Sequence, residues 1–189
     1  IASSDIEVLT LAIGNPSISM IRVHGTKGIR SLALFGSAGE EWVDGYAGSF
    51  LDFPALTYLE LNKVGTVNFT QIASLSSLAT VILCDIDKVV FDAEQVKADV
   101  ACFGISEVYV AANEYSAIRA LPFGSMRSLK SLKLFGMMHD NDESIESLDL
   151  SGCVALQRVL LCFLVIGELK LPGERGPESL LVLCGVTVP

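Results

Sequence analysis

This sequence has few of the residues and motifs on which enzymes usually depend. Its 189 residues include two histidines and one tryptophan, and they contain no GxSxG, GxxxxGK(S/T), GxGxxG or HExxH motif. His24 and His139 stand in or beside polar segments, where ordinary surface residues are expected. The acidic segment 139–143 lacks the glycine and the glutamate that a calcium loop requires, which indicates a solvated turn. We therefore expect no catalytic residue, no metal and no cofactor.

Positive charge is also scarce. Thirteen Lys and Arg residues stand against 22 Asp and Glu residues, which gives a net charge of -9. This balance opposes a phosphate backbone, so nucleic acid is disfavoured as a partner and protein is favoured. The chain does gather positive charge in one stretch, which either steers an acidic partner or belongs to a mixed surface. The residues of this stretch are Arg119, Arg127, Lys130 and Lys133.

Long hydrophobic runs are missing, although 51% of the residues are hydrophobic and the mean hydropathy is +0.52. The longest unbroken run, residues 159–166, spans about eight residues, whereas a membrane-spanning helix needs about 20. The excess of hydrophobic residues therefore predicts strands buried in a regular interior and no membrane insertion.

The chain begins at Ile1 rather than Met, so we expect a piece of a longer polypeptide, other parts of which pack on the domain.

The five cysteines show no paired spacing. They are odd in number and contain no CxxC pair, so neither a zinc site nor a closed disulfide framework is indicated. This pattern favours the cytoplasm or another reducing compartment, with an extracellular location left open.

What the sequence does contain is a repeat. Aliphatic residues recur at positions i, i+3 and i+5, and the pattern returns every 22 to 27 residues, within the range of leucine-rich repeats. We expect one domain, 1–189, of about eight repeats. The eighth is imperfect because Gly185 takes the third aliphatic position. The repeats are predicted to start near Ile6, Ile29, Leu56, Leu78, Ile105, Leu129, Leu156 and Leu180.

A second set of triplets lies between the main ones and predicts return strands on the opposite wall of the same coils. These triplets begin at Ile18, Ile145 and Ile166. An alternative interpretation places 145–153 in the main sheet and shifts the last third of the chain by half a coil. Short helical pieces are expected within 71–78 and 92–102.

The segments 148–153 (LDLSGC) and 108–113 (VYVAAN) resemble those of leucine-rich repeat proteins, and the likeness covers nearly the whole chain. The resemblance implies an α/β solenoid that is mostly strand, curved, with a parallel sheet on its concave side, and a protein-binding role. Only Asn113 provides the asparagine or cysteine that the family usually has at the ninth position. The repeats are therefore irregular, and similar to those of plant intracellular immune receptors or F-box substrate receptors. A three-walled β-helix is the alternative fold.

Alternation along each strand predicts which side chains face the partner. If i+3 and i+5 point into the core, then i+2, i+4 and i+6 point out of the concave sheet. That face has more aromatic and apolar residues than a solvated surface needs, which indicates an interface. The predicted partner-binding residues are Phe35, Tyr58, Ile82, Tyr109, Lys133, Phe135, Arg158 and Leu160.

The glycine-rich segment 36–50 interrupts the repeat and contains Trp42 and Tyr46. It is either a long return loop held by its aromatic residues or a binding loop.

For function, the main prediction is a non-catalytic scaffold that binds a protein within a receptor or adaptor assembly. The alternative is a β-solenoid enzyme or binding module for polysaccharide. Its candidate acids are Glu60 and Glu107, which are predicted to stand two coils apart, about 10 Å, a separation that suits little carboxylate chemistry.

Overall fold

A computed structural model describes residues 6–12, 27–36, 49–92, 94, 104–112, 114–136, 144–173 and 179–187. In these ranges the chain forms a mostly β solenoid with one large parallel sheet and few helices, as the sequence predicts. The strands are β1 (Val8–Ala12), β2 (Ser31–Phe35), β3 (Tyr58–Asn62), β4 (Thr66–Asn68), β5 (Thr80–Cys84), β6 (Lys88–Val90), β7 (Glu107–Ala112), β8 (Ser131–Gly136), β9 (Ile145–Asp149), β10 (Arg158–Cys162), β11 (Ile166–Lys170) and β12 (Leu180–Cys184). The α-helices are α1 (Phe69–Ala73) and α2 (Tyr115–Arg119), and 3-10 turns span Phe50–Asp52 and Phe123–Ser125. None of the described helices has the length and apolar character needed to cross a membrane.

The main sheet has eight strands in the order β1-β2-β3-β5-β7-β8-β10-β12, and all neighbours are parallel. Its first seven strands begin two residues after the repeat starts from Ile6 to Leu156. The last strand instead begins at the predicted repeat start itself, because Leu180 pairs with Arg158 and is the first residue of β12. The predicted triplet at Leu180 is therefore offset by two residues, and Leu181 and Leu183 take the two inward positions.

Burial alternates along the strands because successive side chains point to opposite faces. In β3, Leu59 and Leu61 are fully buried, whereas Tyr58, Glu60 and Asn62 are partly exposed. The inward side chains of the strands merge with those of the return path into one hydrophobic core. The apolar surface that this core removes from water is the main favourable contribution to folding.

A tight turn follows several strands, at the position seven residues after the repeat start. In the described ranges, four turn residues have positive φ, namely Lys63 (54°), Asp85 (55°), Phe163 (55°) and Gly185 (61°). The N–H of the turn residue donates to the last carbonyl of the next strand, from Lys63 to Cys84 (3.0 Å) and from Phe163 to Cys184 (2.8 Å). Gly185 thus lies in a turn that needs a left-handed backbone, so it is not a damaged core position.

The return path contains two small parallel sheets, β4 with β6 and β9 with β11. The predicted return strands at Ile145 and Ile166 are confirmed. The alternative that placed 145–153 in the main sheet is wrong, because β9 pairs with β11 in a separate two-stranded sheet. The sequence did not predict β4, β6 or α2. The triplet at Ile18 and nearly all of the helical segment 92–102 lie outside the described residues.

Helix α1 begins at Phe69, two residues before the predicted segment 71–78. The side chain of Asn68 caps it, since its Oδ1 accepts a hydrogen bond from the Gln71 N–H at 3.3 Å. Ile72 and Ala73 are buried in the core. A five-residue helix is marginal alone, so this packing and the cap determine where it forms.

Candidate protein-binding face

The outer face of the main sheet consists of the side chains that point away from the core, and the register arranges them in three columns. The first column is Val8, Ser31, Tyr58, Thr80, Glu107, Ser131, Arg158 and Leu180. The second is Thr10, Ala33, Glu60, Ile82, Tyr109, Lys133, Leu160 and Val182. The third is Ala12, Phe35, Asn62, Cys84, Ala111, Phe135, Cys162 and Cys184.

An aromatic pair occupies the C-terminal half of this face. The ring centroids of Tyr109 and Phe135 lie 5.3 Å apart with an angle of 33° between the ring planes. Ile82 and Leu160 stand in the same column as Tyr109, and all four side chains are partly exposed. We call these four residues the aromatic patch. Its members come together as the sequence predicts, on four consecutive strands.

Two of the predicted basic residues lie on or beside this patch. Lys133 is in register between Tyr109 and Leu160, and Arg158 is on the next strand in the first column. Both side chains are exposed, and neither takes part in the ion pairs Arg30–Glu7, Lys63–Asp85 and Lys170–Glu168 found in the described ranges. Their charges are therefore available to an acidic partner group.

The basic stretch predicted from the sequence also includes Arg119, Arg127 and Lys130, and these three residues do not all lie on the outer face of the main sheet. Lys130 is exposed directly before β8, and its N–H donates to the Ser106 carbonyl at 2.8 Å. Arg127 is exposed in the loop after the second 3-10 turn. Arg119 lies in α2 on the return path, so the predicted single group of four basic residues is divided between two parts of the surface.

Tyr58 and Glu60 form a hydrogen-bonded pair on β3, nearer the N-terminal edge of the main sheet. The Tyr58 hydroxyl donates a hydrogen bond of 2.7 Å to Glu60 Oε2. Burial first, and then the Glu60 carboxylate, raise the pKa of Tyr58 to about 12. Burial and then Glu60 and Asp85 raise the pKa of the neighbouring Cys84 thiol to about 11. Tyr58 is thus a stable hydrogen-bond donor, and Glu60 is oriented by it.

Phe35 is partly exposed at the end of β2, beside Ala12 and Asn62 in the third column. It is separated from the aromatic patch by β3, where Tyr58 is the predicted partner-binding residue, so Phe35 does not belong to the patch itself. Trp42 and Tyr46 of the candidate binding loop lie outside the described residues.

The carboxylates of the alternative function do not face each other directly. Glu60 is in the second column of β3 and Glu107 in the first column of β7, with β5 between them. Glu60 already accepts the Tyr58 hydrogen bond. Within the described ranges, no group of three or more His, Cys, Asp or Glu side chains is arranged to hold a metal ion.

The sequence missed the apolar residues of β12. Val182 extends the second column beyond Leu160 and is 38% exposed, and Leu180 is 57% exposed. The two-residue offset in the eighth repeat hid Leu180, because it assigned this residue to the core. The run 180–184 is apolar at every position, so alternation alone does not show which of its side chains face outward.

Comparisons of this chain with protein-family models, curated proteins and solved structures give no match.

Proposed function

We propose that this chain is a non-catalytic scaffold that binds a protein partner on the outer face of the main sheet. The observation that carries the proposal is the Tyr109–Phe135 pair, two partly exposed aromatic rings in contact on a regular sheet. Each ring restricts the other, so little side-chain freedom is left to lose on binding. Aromatic side chains of this kind commonly supply most of the binding free energy of an interface.

The partner surface that fits this face is apolar at its centre and acidic at one side. Ile82 and Leu160 extend the apolar surface on either side of the rings, while Lys133 and Arg158 supply positive charge. The chain as a whole is acidic, with a net charge of -9. A local basic region therefore orients an acidic partner group toward the patch and away from the rest of the surface.

We also propose that the solenoid is an irregular leucine-rich repeat array from a receptor or adaptor. What supports this is the regular sequence of strand, tight turn and variable return path, with two leucine or valine residues at the inward positions of each strand. Proteins built this way present one long sheet surface to their partners.

The test is affinity capture followed by direct measurement of the dissociation constant for the captured protein. Tyr109→Ala and Phe135→Ala should each weaken binding about tenfold or more, which corresponds to about 1.4 kcal/mol. Val154→Ala is the matched control, because Val154 is 69% exposed in a loop outside the sheet. It should bind as the unchanged protein does.

Two results would contradict the proposal. Binding that survives in a folded Tyr109→Ala, Phe135→Ala double variant would move the interface elsewhere, with the segment 36–50 as the next place to test. Turnover of a polysaccharide that is lost in Glu60→Gln or Glu107→Gln would replace a binding scaffold with an enzyme.

A further inference from the structure

Two thiols stand side by side on the last two strands of the main sheet. The register pairs Cys162 of β10 with Cys184 of β12, and both side chains belong to the third column. Cys162 is buried and Cys184 is exposed. Burial is the main cause that raises the pKa of the Cys162 thiol. The neighbouring Cys184 thiol raises this pKa further, by its charge and by a hydrogen bond. The register therefore places the two thiols side by side on the same face of the sheet.

The backbone fixes this pairing at both ends of β12. The Leu180 N–H donates to the Gln157 carbonyl at 2.7 Å, and the Phe163 N–H donates to the Cys184 carbonyl at 2.8 Å. A bridge between Val165 and Thr187 continues the pairing beyond the turn. A slip of one residue would move Cys184 to the other face of the sheet, so these bonds keep the two thiols opposed.

Neighbouring strands are about 4.8 Å apart, within the Cα separation of about 4.4–6.8 Å that a disulfide spans. The Cβ atoms of a disulfide are closer, about 3.8 Å apart, so one strand must move by about 1 Å. In the described sheet β12 has a single neighbour, β10. It can therefore approach without breaking a second ladder of hydrogen bonds.

We propose that Cys162 and Cys184 form a reversible dithiol site that a small-molecule disulfide oxidises to a cross-strand disulfide. The exposed Cys184, as its thiolate, attacks one sulfur of the small disulfide, and the first small thiolate leaves and takes up a proton. The Cys162 thiolate then attacks Cys184 Sγ in the mixed disulfide, which forms the intrachain bond and releases the second small thiolate, in turn protonated. The two cysteines lose two electrons and two protons, and the two small thiols carry them away.

The other described cysteines have no such neighbour. Cys84 has Asn62 and Ala111 as its register partners. Cys153 is buried, and its thiol donates to the Phe123 carbonyl at 3.0 Å. They provide matched controls. Oxidation would tie the edge strand to its neighbour, so β12 would open less often in the oxidised protein than in the reduced one.

The experiment equilibrates the full chain with defined ratios of oxidised to reduced glutathione, blocks free thiols and maps tryptic peptides by mass spectrometry. We expect a loss of two hydrogens and a link between the peptides 159–170 and 176–189, which contain Cys162 and Cys184. The link should disappear in Cys162→Ser and Cys184→Ser and persist in Cys84→Ser and Cys153→Ser. Amide exchange in β12 should slow several-fold on oxidation. A glutathione adduct that stays on Cys184, a link to another cysteine, or a link between two chains would overturn the proposal.

Discussion

The ring of Tyr109 packs against the ring of Phe135, although the backbone register pairs neither residue with the other. Tyr109 is opposite Lys133, and Phe135 is opposite Ala111. The contact is therefore diagonal across β7 and β8, with centroids 5.3 Å apart. Alanine at 111 leaves room beside Phe135 for the tyrosine ring. The sheet thus presents two fixed aromatic surfaces to solvent.

The diagonal contact predicts that the two rings stabilise each other. In a double-mutant cycle of Tyr109→Ala and Phe135→Ala, we expect a coupling free energy of about 0.5–1.5 kcal/mol, measured by urea unfolding. The control cycle combines Phe135→Ala with Ile82→Ala, because Ile82 lies on β5 and does not neighbour β8. That pair should be additive within about 0.5 kcal/mol. Equal coupling in both cycles would show that the ring contact contributes nothing.

Adjacent residues of β8 should respond very differently to truncation. Leu134 is fully buried, whereas Phe135 is partly exposed on the outer face. Leu134→Ala should lower the free energy of unfolding by about 2–5 kcal/mol because it leaves a cavity in the core. Phe135→Ala should cost about 1 kcal/mol. The measurement is equilibrium unfolding in urea, and a larger loss for Phe135→Ala would mean that the assigned faces are reversed.

The main sheet could be predicted because its information is local and repeated. Each strand places two aliphatic residues at inward positions, such as Leu59 and Leu61, and the same spacing returns in every coil. The two-residue offset of the eighth repeat could not be found from the sequence. Leu180, Leu181 and Leu183 are all leucines, and any of them could lie in the core. The pairing of Leu180 with Arg158 determines which of them face inward.

The return path and the fine structure of the face could not be predicted in the same way. The strands β4 and β6 are three residues long, too short for alternation to distinguish them from loop. Lys63, Asp85 and Phe163 adopt positive φ without the glycine that would signal it. The Tyr109–Phe135 contact depends on the register between two strands, and a column can be drawn only after that register is known.

Gly136 should not tolerate a side chain. A Cβ at this position would lie against the carbonyl oxygen of Phe163, in the next coil, and that oxygen also accepts a hydrogen bond of 3.2 Å from the Tyr115 hydroxyl. Backbone oxygen cannot rotate away, so Gly136→Ala should lower the free energy of unfolding by about 1–3 kcal/mol. Gly124→Ala is the control, because nothing lies within 4 Å of a Cβ there, and it should change stability by less than about 0.5 kcal/mol. Equal stability of the two variants would contradict the close approach of the coils.

Tyr58 should make the folded chain sensitive to alkali. Its pKa is about 12 in the folded protein against an ordinary value of 10.0, so the folded state holds the phenol proton more tightly than the unfolded state does. This contribution to stability is fully present below pH 10 and is lost as the pH rises from 10 to 12. Tyr58→Phe removes the titrating group, so its unfolding free energy should fall less than that of the unchanged protein between pH 9 and pH 11. The check is urea unfolding at both pH values, with tyrosinate absorbance to follow ionisation.

Glu60→Gln should lower the pKa of Tyr58 only in part, since burial is the larger cause. An unchanged pH dependence in Tyr58→Phe would contradict the hydrogen-bonded, half-buried state of this tyrosine.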